Sequence, residues 1–118
     1  MRLIIACDPN GGIGYKNKLP WHKIEGDLPR FKRLTENKIV VMGVSIKVLN
    51  NFTDDACIIG GAKLIEGVWD KITEIHLTLV HTEYTCDTFI DLLKISREFT
   101  CNELENFSDH TYQIWKRK

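Results

Sequence analysis

Asp27 opens a short amphipathic stretch just beyond the glycine-bearing run Asp8-Pro9-Asn10-Gly11-Gly12 and the Pro20-Trp21 pair. A carboxylate in that place could face a cleft and accept hydrogen bonds, although an Asp at a helix start more often caps the helix or complements its dipole. Gly60-Gly61 ends an apolar run and precedes a helical one. There the missing side chains let main chain approach a ligand, and helix N-terminal amides could receive a phosphate. The pair does not make up a GxGxxG fingerprint, so spacing alone indicates no Rossmann dinucleotide site. Cys7, Cys57, Cys86 and Cys101 lie far apart with no CxxC pair, a pattern that suggests neither a zinc site nor a redox motif. No metal is expected.

Leu3 to Cys7 is a continuous apolar run, the pattern of a strand buried on both faces and central in a sheet, and Asp8 to Gly12 begins a flexible loop. That loop continues through Gly14, Asn17 and Pro20 to Trp21, long enough to favour a ligand-covering role. From Gly26-Asp27, the spacing of Leu28, Phe31 and Leu34 follows a helical stripe. Ile39 to Gly43 reads as a second strand, Val44 to Leu49 as one or two helical turns, and Ala56 to Gly61 as a third strand. A helix is expected from about Ala62 to Trp69, and Glu74 to Val80 alternates as a strand does. Arg97 to Asn102 and Thr111 to Lys116 read as two strands joined by the polar loop Glu103 to His110, an antiparallel hairpin closing the sheet. Strands alternating with helices predict an α/β fold, a central mixed sheet flanked by helices in one domain spanning residues 1–118.

Hydrophobic residues at 43% and charged residues at 27% are ordinary for a globular chain, which argues against disorder. Lys plus Arg equals Asp plus Glu at 16 each, so there is no basic field to grip nucleic acid. Leu3 to Cys7 is too short for a signal-peptide core, and no apolar run approaches the roughly 18 residues of a membrane span. These features predict a cytoplasmic protein with reduced cysteines and no membrane or nucleic-acid partner.

The run Gly14-Tyr15-Lys16-Asn17-Lys18-Leu19-Pro20-Trp21, followed by Asp27-Leu28-Pro29-Arg30-Phe31-Lys32-Arg33-Leu34-Thr35, resembles the first active-site half of dihydrofolate reductases. Val40-Val41-Met42-Gly43, Ile58-Ile59-Gly60-Gly61-Ala62 and Thr78 followed by Asp87-Thr88-Phe89 resemble later landmarks of that family, in the correct order. The resemblance implies the family's fold and the reduction of 7,8-dihydrofolate to 5,6,7,8-tetrahydrofolate by hydride transfer from NADPH, with NADH as the other nicotinamide candidate. It implies that Asp27 accepts two hydrogen bonds from the pterin's ring N3 and 2-amino group. Thr78 would extend that network, and Trp21 with the loop before it is similar to the family's mobile lid.

By the same resemblance Ile5, Ala6 and Ile59 flank the pterin, Leu28 and Phe31 form an apolar wall, and Lys32 meets the glutamate tail. The cofactor would lie against Ala6, Ile13, Gly14, Asn17, Leu19, Gly43, Ile59, Gly60, Gly61, Ala62, Lys63 and Leu64. The Gly60-Gly61 peptide is expected to be cis by analogy, and water is the expected immediate proton donor to N5. A noncatalytic folate-binding or assembly subunit, or a reductase of another pteridine, would share these features.

The chain departs from the family between Gly43 and Ile58, where fourteen residues replace a much longer stretch that carries outer strands and part of the adenosine-binding subdomain. Val44 stands where many relatives have the arginine that binds the cofactor's 2′-phosphate, leaving Lys47 or Lys63 as substitutes. Ile65 occupies a frequent Tyr position near the nicotinamide, and Ile46 lies near a usual Thr. With the outer strands deleted, Ile39 to Met42 would become an exposed sheet edge, open to a second copy of the chain or to cover by the shortened Val44 to Thr53 segment.

Overall fold

A computed structural model describes residues 1–16, 18–21, 26–42 and 56–118, with Val41 as backbone alone. The expected helical turns of Val44 to Leu49, and the site positions Asn17 and Gly43, lie outside the described residues. The main sheet has six strands: β1 (Arg2–Cys7), β3 (Val40–Met42), β4 (Cys57–Gly60), β5 (Glu74–Val80), β7 (Phe99–Asn106) and β8 (His110–Arg117), in the order β3-β4-β1-β5-β8-β7. Pairing is parallel from β3 through β4 and β1 to β5, and antiparallel from β5 through β8 to β7. This is the mixed sheet with a terminal hairpin that the sequence predicts. The apolar run of β1 is central, in register with β5 from Arg2↔Glu74 to Cys7↔Leu79.

The two faces of the sheet differ in character. Leu3, Cys7, Ile58, Ile75 and Leu77 are buried in one cluster with Leu64, Ile65, Val68, Trp69, Ile72, Ile95 and Phe99. Those partners come from α2 (Ala62–Gly67), a 3-10 turn at Trp69–Lys71, the segments beside them, and α3 (Leu92–Glu98). The opposite face carries the alternate residues Arg2, Ala6, Glu74, His76, Thr78 and Tyr112, against which α1 (Asp27–Thr35) lies. Apolar burial on the first face is the main stabilising term. The second is a polar layer, where burial is costly for any group that lacks a partner.

Several elements differ from expectation. The helix begun at Ala62 ends at Gly67 and gives way to the 3-10 turn. Residues Arg97 and Glu98, expected as strand, close α3, which begins at the Asp91 cap whose side chain accepts the Lys94 amide at 3.1 Å. The hairpin is longer than expected: β7 runs to Asn106 and β8 starts at His110, leaving a turn of Phe107 to Asp109 closed by the Phe107 amide on the His110 carbonyl at 2.8 Å. Exposed Glu103 and Glu105 look like loop residues, yet β7 is the edge strand, whose side chains can face water.

The loop after β1 contains β2 (Gly12–Gly14), paired antiparallel with β6 (Thr88–Phe89) in a second small sheet. No cis peptide occurs among the described residues, which corrects the expectation at Gly60-Gly61. The reversal there is made by Gly61 at φ +87°, a region glycine enters without a Cβ penalty.

Candidate active site

The described pairing of β1 with β4 ends at Leu3↔Ile58, while β1 continues along β5 as far as Cys7. The helix following β1 lies on the polar face, and the helix following β4 on the apolar one. Adjacent parallel strands whose connections leave toward opposite faces open a crevice at their carboxyl ends, the position where α/β sheets take ligands. Ile5, Ala6, Ile59, Gly60 and Gly61 all lie at those ends.

Gly26, at φ +83°, turns the chain into α1, and Asp27 is the first helical residue. Pro29 is tolerated within the first turn because amides there have no intrahelical acceptor. No side chain caps this helix. The Asp27 carboxylate turns to the sheet instead, where Oδ1 accepts the Thr78 hydroxyl at 2.8 Å. Its side chain is 35% exposed, so the carboxylate is anchored but accessible. Thr78 is buried, and its register neighbours are Ala6 on β1 and Tyr112 on β8. Trp21 is buried beside Ala6 and Val80 and meets Tyr84 edge-on at 5.8 Å between ring centres. The structure thus brings Ala6, Trp21, Asp27 and Thr78 to one end of the polar face.

Leu28 is exposed and Phe31 half-buried on the helix that carries Asp27, and Lys32 is exposed further along. The Ile5 side chain packs toward the main core, so any ligand contact it makes is through main chain. Ile13 and Leu64 are likewise core side chains, Leu19 and Lys63 are exposed, and Gly14 and Ala62 are half-buried. Ile65 is buried and lines a recess on the α2 side of the sheet with Trp69, Phe89 and Lys94.

Asp8, which the sequence reading treats only as a loop residue, organises the turn before β2. It is fully buried, with Oδ1 accepting the amides of Asn10 (2.9 Å) and Gly12 (2.8 Å) and Oδ2 accepting that of Tyr84 (3.0 Å). Gly11 bends at φ +85°, but Gly12 is required for space: a Cβ there would lie 2.3 Å from the Cys86 sulfur. Asp87 holds the far end by accepting the Lys16 amide at 3.0 Å, and this contact keeps its carboxyl below the usual range.

Two further groups escape the sequence reading. Arg30 is buried, with Nη1 3.8 Å from Asp27 Oδ1 and its guanidinium 3.9 Å from the centre of the Tyr112 ring. The i,i+3 spacing of Asp27 and Arg30 was the available signal. His76 is buried behind them, hydrogen-bonded through Nδ1 to the Tyr112 hydroxyl and 3.4 Å from Glu74. Burial holds the His76 pKa below its ordinary value, against the opposing pull of Glu74. Burial of Glu74 is outweighed by its bond from Arg2 Nε at 2.8 Å and by the nearby charges, which keep its carboxyl low.

Comparison with known proteins agrees with this geometry. The dihydrofolate reductase family model matches residues 1–49 and 44–117, two pieces that meet where the sequence reading places the missing stretch. Dihydrofolate reductase type 8 of Escherichia coli is 30% identical over 162 aligned residues, covering 100% of this chain and 96% of that protein. The dihydrofolate reductase of Staphylococcus aureus (strain MSSA476) is 25% identical over 122 residues, 75% of this chain and 76% of its own. The Enterococcus faecalis dihydrofolate reductase, solved as a complex with NADP(H) and RAB-propyl, superposes with a TM-score of 0.79 at 19% identity, over 99% of this chain and 95% of that one. A mixed sheet with an acid at the head of α1 bound to a strand threonine defines the class, an α/β protein with the dihydrofolate reductase fold. The chain belongs to the dihydrofolate reductase family, whose reaction is the reduction of dihydrofolate to tetrahydrofolate.

Proposed function

We propose that the crevice at the carboxyl ends of β1 and β4 binds dihydrofolate through Asp27 and reduces it with NADPH. The observation that carries this reading is the accessible Asp27 carboxylate, fixed by Thr78 at 2.8 Å. An ionised carboxylate matches the paired donors of a pterin's N3 and 2-amino group, and charge-assisted pairs of this kind are strong and directional. Leu28 and Phe31 supply an apolar wall beside the ring, main chain of Ile5, Ala6 and Ile59 meets its far edge, and Lys32 faces the glutamate tail. Trp21, held by Val80 and Tyr84, closes the end of the slot and limits water there. Asp27 orients and polarises the ring from the edge opposite N5, so the proton for N5 comes from water.

The residues around Gly61 fit a dinucleotide. Helix α2 starts without a side-chain cap, its first amides follow an exposed Gly61, and Lys63 adds a cation beside them. Gly60, Gly61, Ala62 and Lys63 would hold the pyrophosphate end of NADPH, with Ala6, Gly14 and Ile59 toward the nicotinamide, Ile13, Leu19 and Leu64 alongside, and Asn17 and Gly43 completing the contact set. When bound, this cofactor supplies the hydride.

Purified protein with dihydrofolate and either NADPH or NADH, followed by nicotinamide absorbance, tests the reading. Oxidation dependent on dihydrofolate supports it; folate binding without oxidation identifies a noncatalytic binder instead.

A cytoplasmic location fits the four free cysteines. The thiol of Cys7, pushed up to about 12 by burial and by Asp8, stays protonated there. No helix among the described residues is long and apolar enough to cross a membrane. Strand β3 is the last of the described sheet, with Ile39, Val40 and Met42 exposed at 43%, 44% and 64%. A second copy pairing along this edge would cover it, and sedimentation that shows a monomer at every concentration would exclude that dimer.

A further inference from the structure

Arg30 is not among the groups assigned to substrate or cofactor, yet among the described residues it is a buried cation beside Asp27. Its side chain is 9% exposed, and its guanidinium sits over Tyr112, 3.9 Å from the ring centre, and within 5.4 Å of the centre of the Phe107 ring. Nη1 is fully buried without a hydrogen-bond acceptor, and the anion beside it is Asp27 Oδ1 at 3.8 Å, the oxygen that Thr78 also binds. A desolvated guanidinium is costly to bury unless an anion opposes it. The stack is itself anchored, because the Tyr112 hydroxyl is tied to His76, which neighbours Glu74, which in turn is bound by Arg2.

The Thr78 hydroxyl holds the Asp27 carboxyl by a single hydrogen bond, at Oδ1. We propose that Arg30 is a positioning residue for Asp27. Its guanidinium, held on the Tyr112 ring by the chain of contacts running back to Arg2, approaches Oδ1 from a second direction and helps fix the carboxylate plane that the paired donors of the heterocycle meet. Planarity and permanent charge suit Arg to this role, since it can stack on a ring and face a carboxylate at once. The inference rests on Asp27 being the carboxylate that binds dihydrofolate.

The test is equilibrium binding of dihydrofolate to wild type, Arg30→Met, Arg30→Lys, Asp27→Asn and the Arg30→Met/Asp27→Asn double variant, with the KM for NADPH measured alongside. Arg30→Met is expected to weaken dihydrofolate about tenfold and leave the NADPH KM unchanged, Arg30→Lys to recover only part of the loss because an ammonium keeps the charge without the planar face, and Arg30→Met to change binding less than about twofold once Asp27 is Asn. If Arg30→Met fails to fold, Tyr112→Phe reads the same support: it keeps the ring but frees it from His76, and about threefold weaker binding is expected. An Arg30→Met effect that persists in the Asp27→Asn background, falls equally on NADPH, or is absent overturns the inference, as does an unaffected Tyr112→Phe. Dihydrofolate binding that survives Asp27→Asn overturns the site reading and this inference together, whereas loss there with Arg30→Met unchanged overturns the inference alone.

Discussion

Asp27 and Thr78 are 51 positions apart in the chain and meet at 2.8 Å, because α1 crosses the polar face above β5. A hydrogen bond to a charged group contributes about 1.5–3 kcal/mol. Thr78→Val is therefore expected to lower kcat/KM for dihydrofolate by about tenfold or more while Thr78→Ser keeps most of it, as read from steady-state kinetics. His76 gives a second residue-level prediction. Its folded pKa lies below the ordinary value of 6.5, so on acidification the unfolded chain takes up the proton first. Stability is then fully present above that value and falls as pH drops through it toward the folded pKa. Urea unfolding at pH 7.5 and near pH 5.5 is expected to show that loss, reduced in His76→Gln. Glu74 acts lower, below its ordinary 4.5, where its depressed pKa makes the chain lose further stability. Asp27 and Thr78 were legible because landmarks around them occur in family order. Arg30 was not, because its burial depends on Tyr112, from the opposite end of the chain.

Among the elements, β5 was legible residue for residue, because alternation from Glu74 to Val80 records one apolar and one polar face. Helix α3 and the long β7 were obscured: Arg97 and Glu98 suit either state, and the edge position of β7 admits the polar residues that imitate a loop. The loop before Trp21 was legible in its glycines but not in its pairing with β6, since the partner Thr88–Phe89 comes much later in the sequence. That pairing gives Gly12 a packing role. Gly12→Ala would set a methyl group 2.3 Å from the Cys86 sulfur and 3.0 Å from Asp8 Oδ1. A loss of about 1–3 kcal/mol is expected by urea unfolding, and Gly12→Ala/Cys86→Ala is expected to recover part of it because the sulfur is then gone. Unchanged stability in the single variant would show that the β2–β6 contact is looser than the structure has it.

At the scale of the molecule, a polar sheet face under α1 and an apolar face under α2 and α3 divide the work, one carrying the site and the other most of the stability. The fold class followed from strands alternating with helices, but the contrast between the faces depends on which helix covers which side, and alternation alone does not specify that. The family match in two pieces locates the shortening near residues 44–49 of the sequence. The pyrophosphate end proposed for Gly61 and the uncapped start of α2 lies outside that stretch. NADPH at a hundred times its Kd is accordingly expected to raise unfolding stability by about 2.7 kcal/mol, seen as a rise in Tm, and Lys63→Ala to diminish it. A Tm indifferent to NADPH would remove the cofactor site from α2. The central claim, that one anchored carboxylate in the crevice between β1 and β4 holds dihydrofolate for reduction, is tested most directly by steady-state turnover of Asp27→Asn beside wild type, with NADPH saturating. The account predicts that wild type oxidises NADPH only when dihydrofolate is present and that the variant, folded to the same Tm, loses at least about a hundredfold in kcat/KM; turnover equal to wild type in the variant would contradict it.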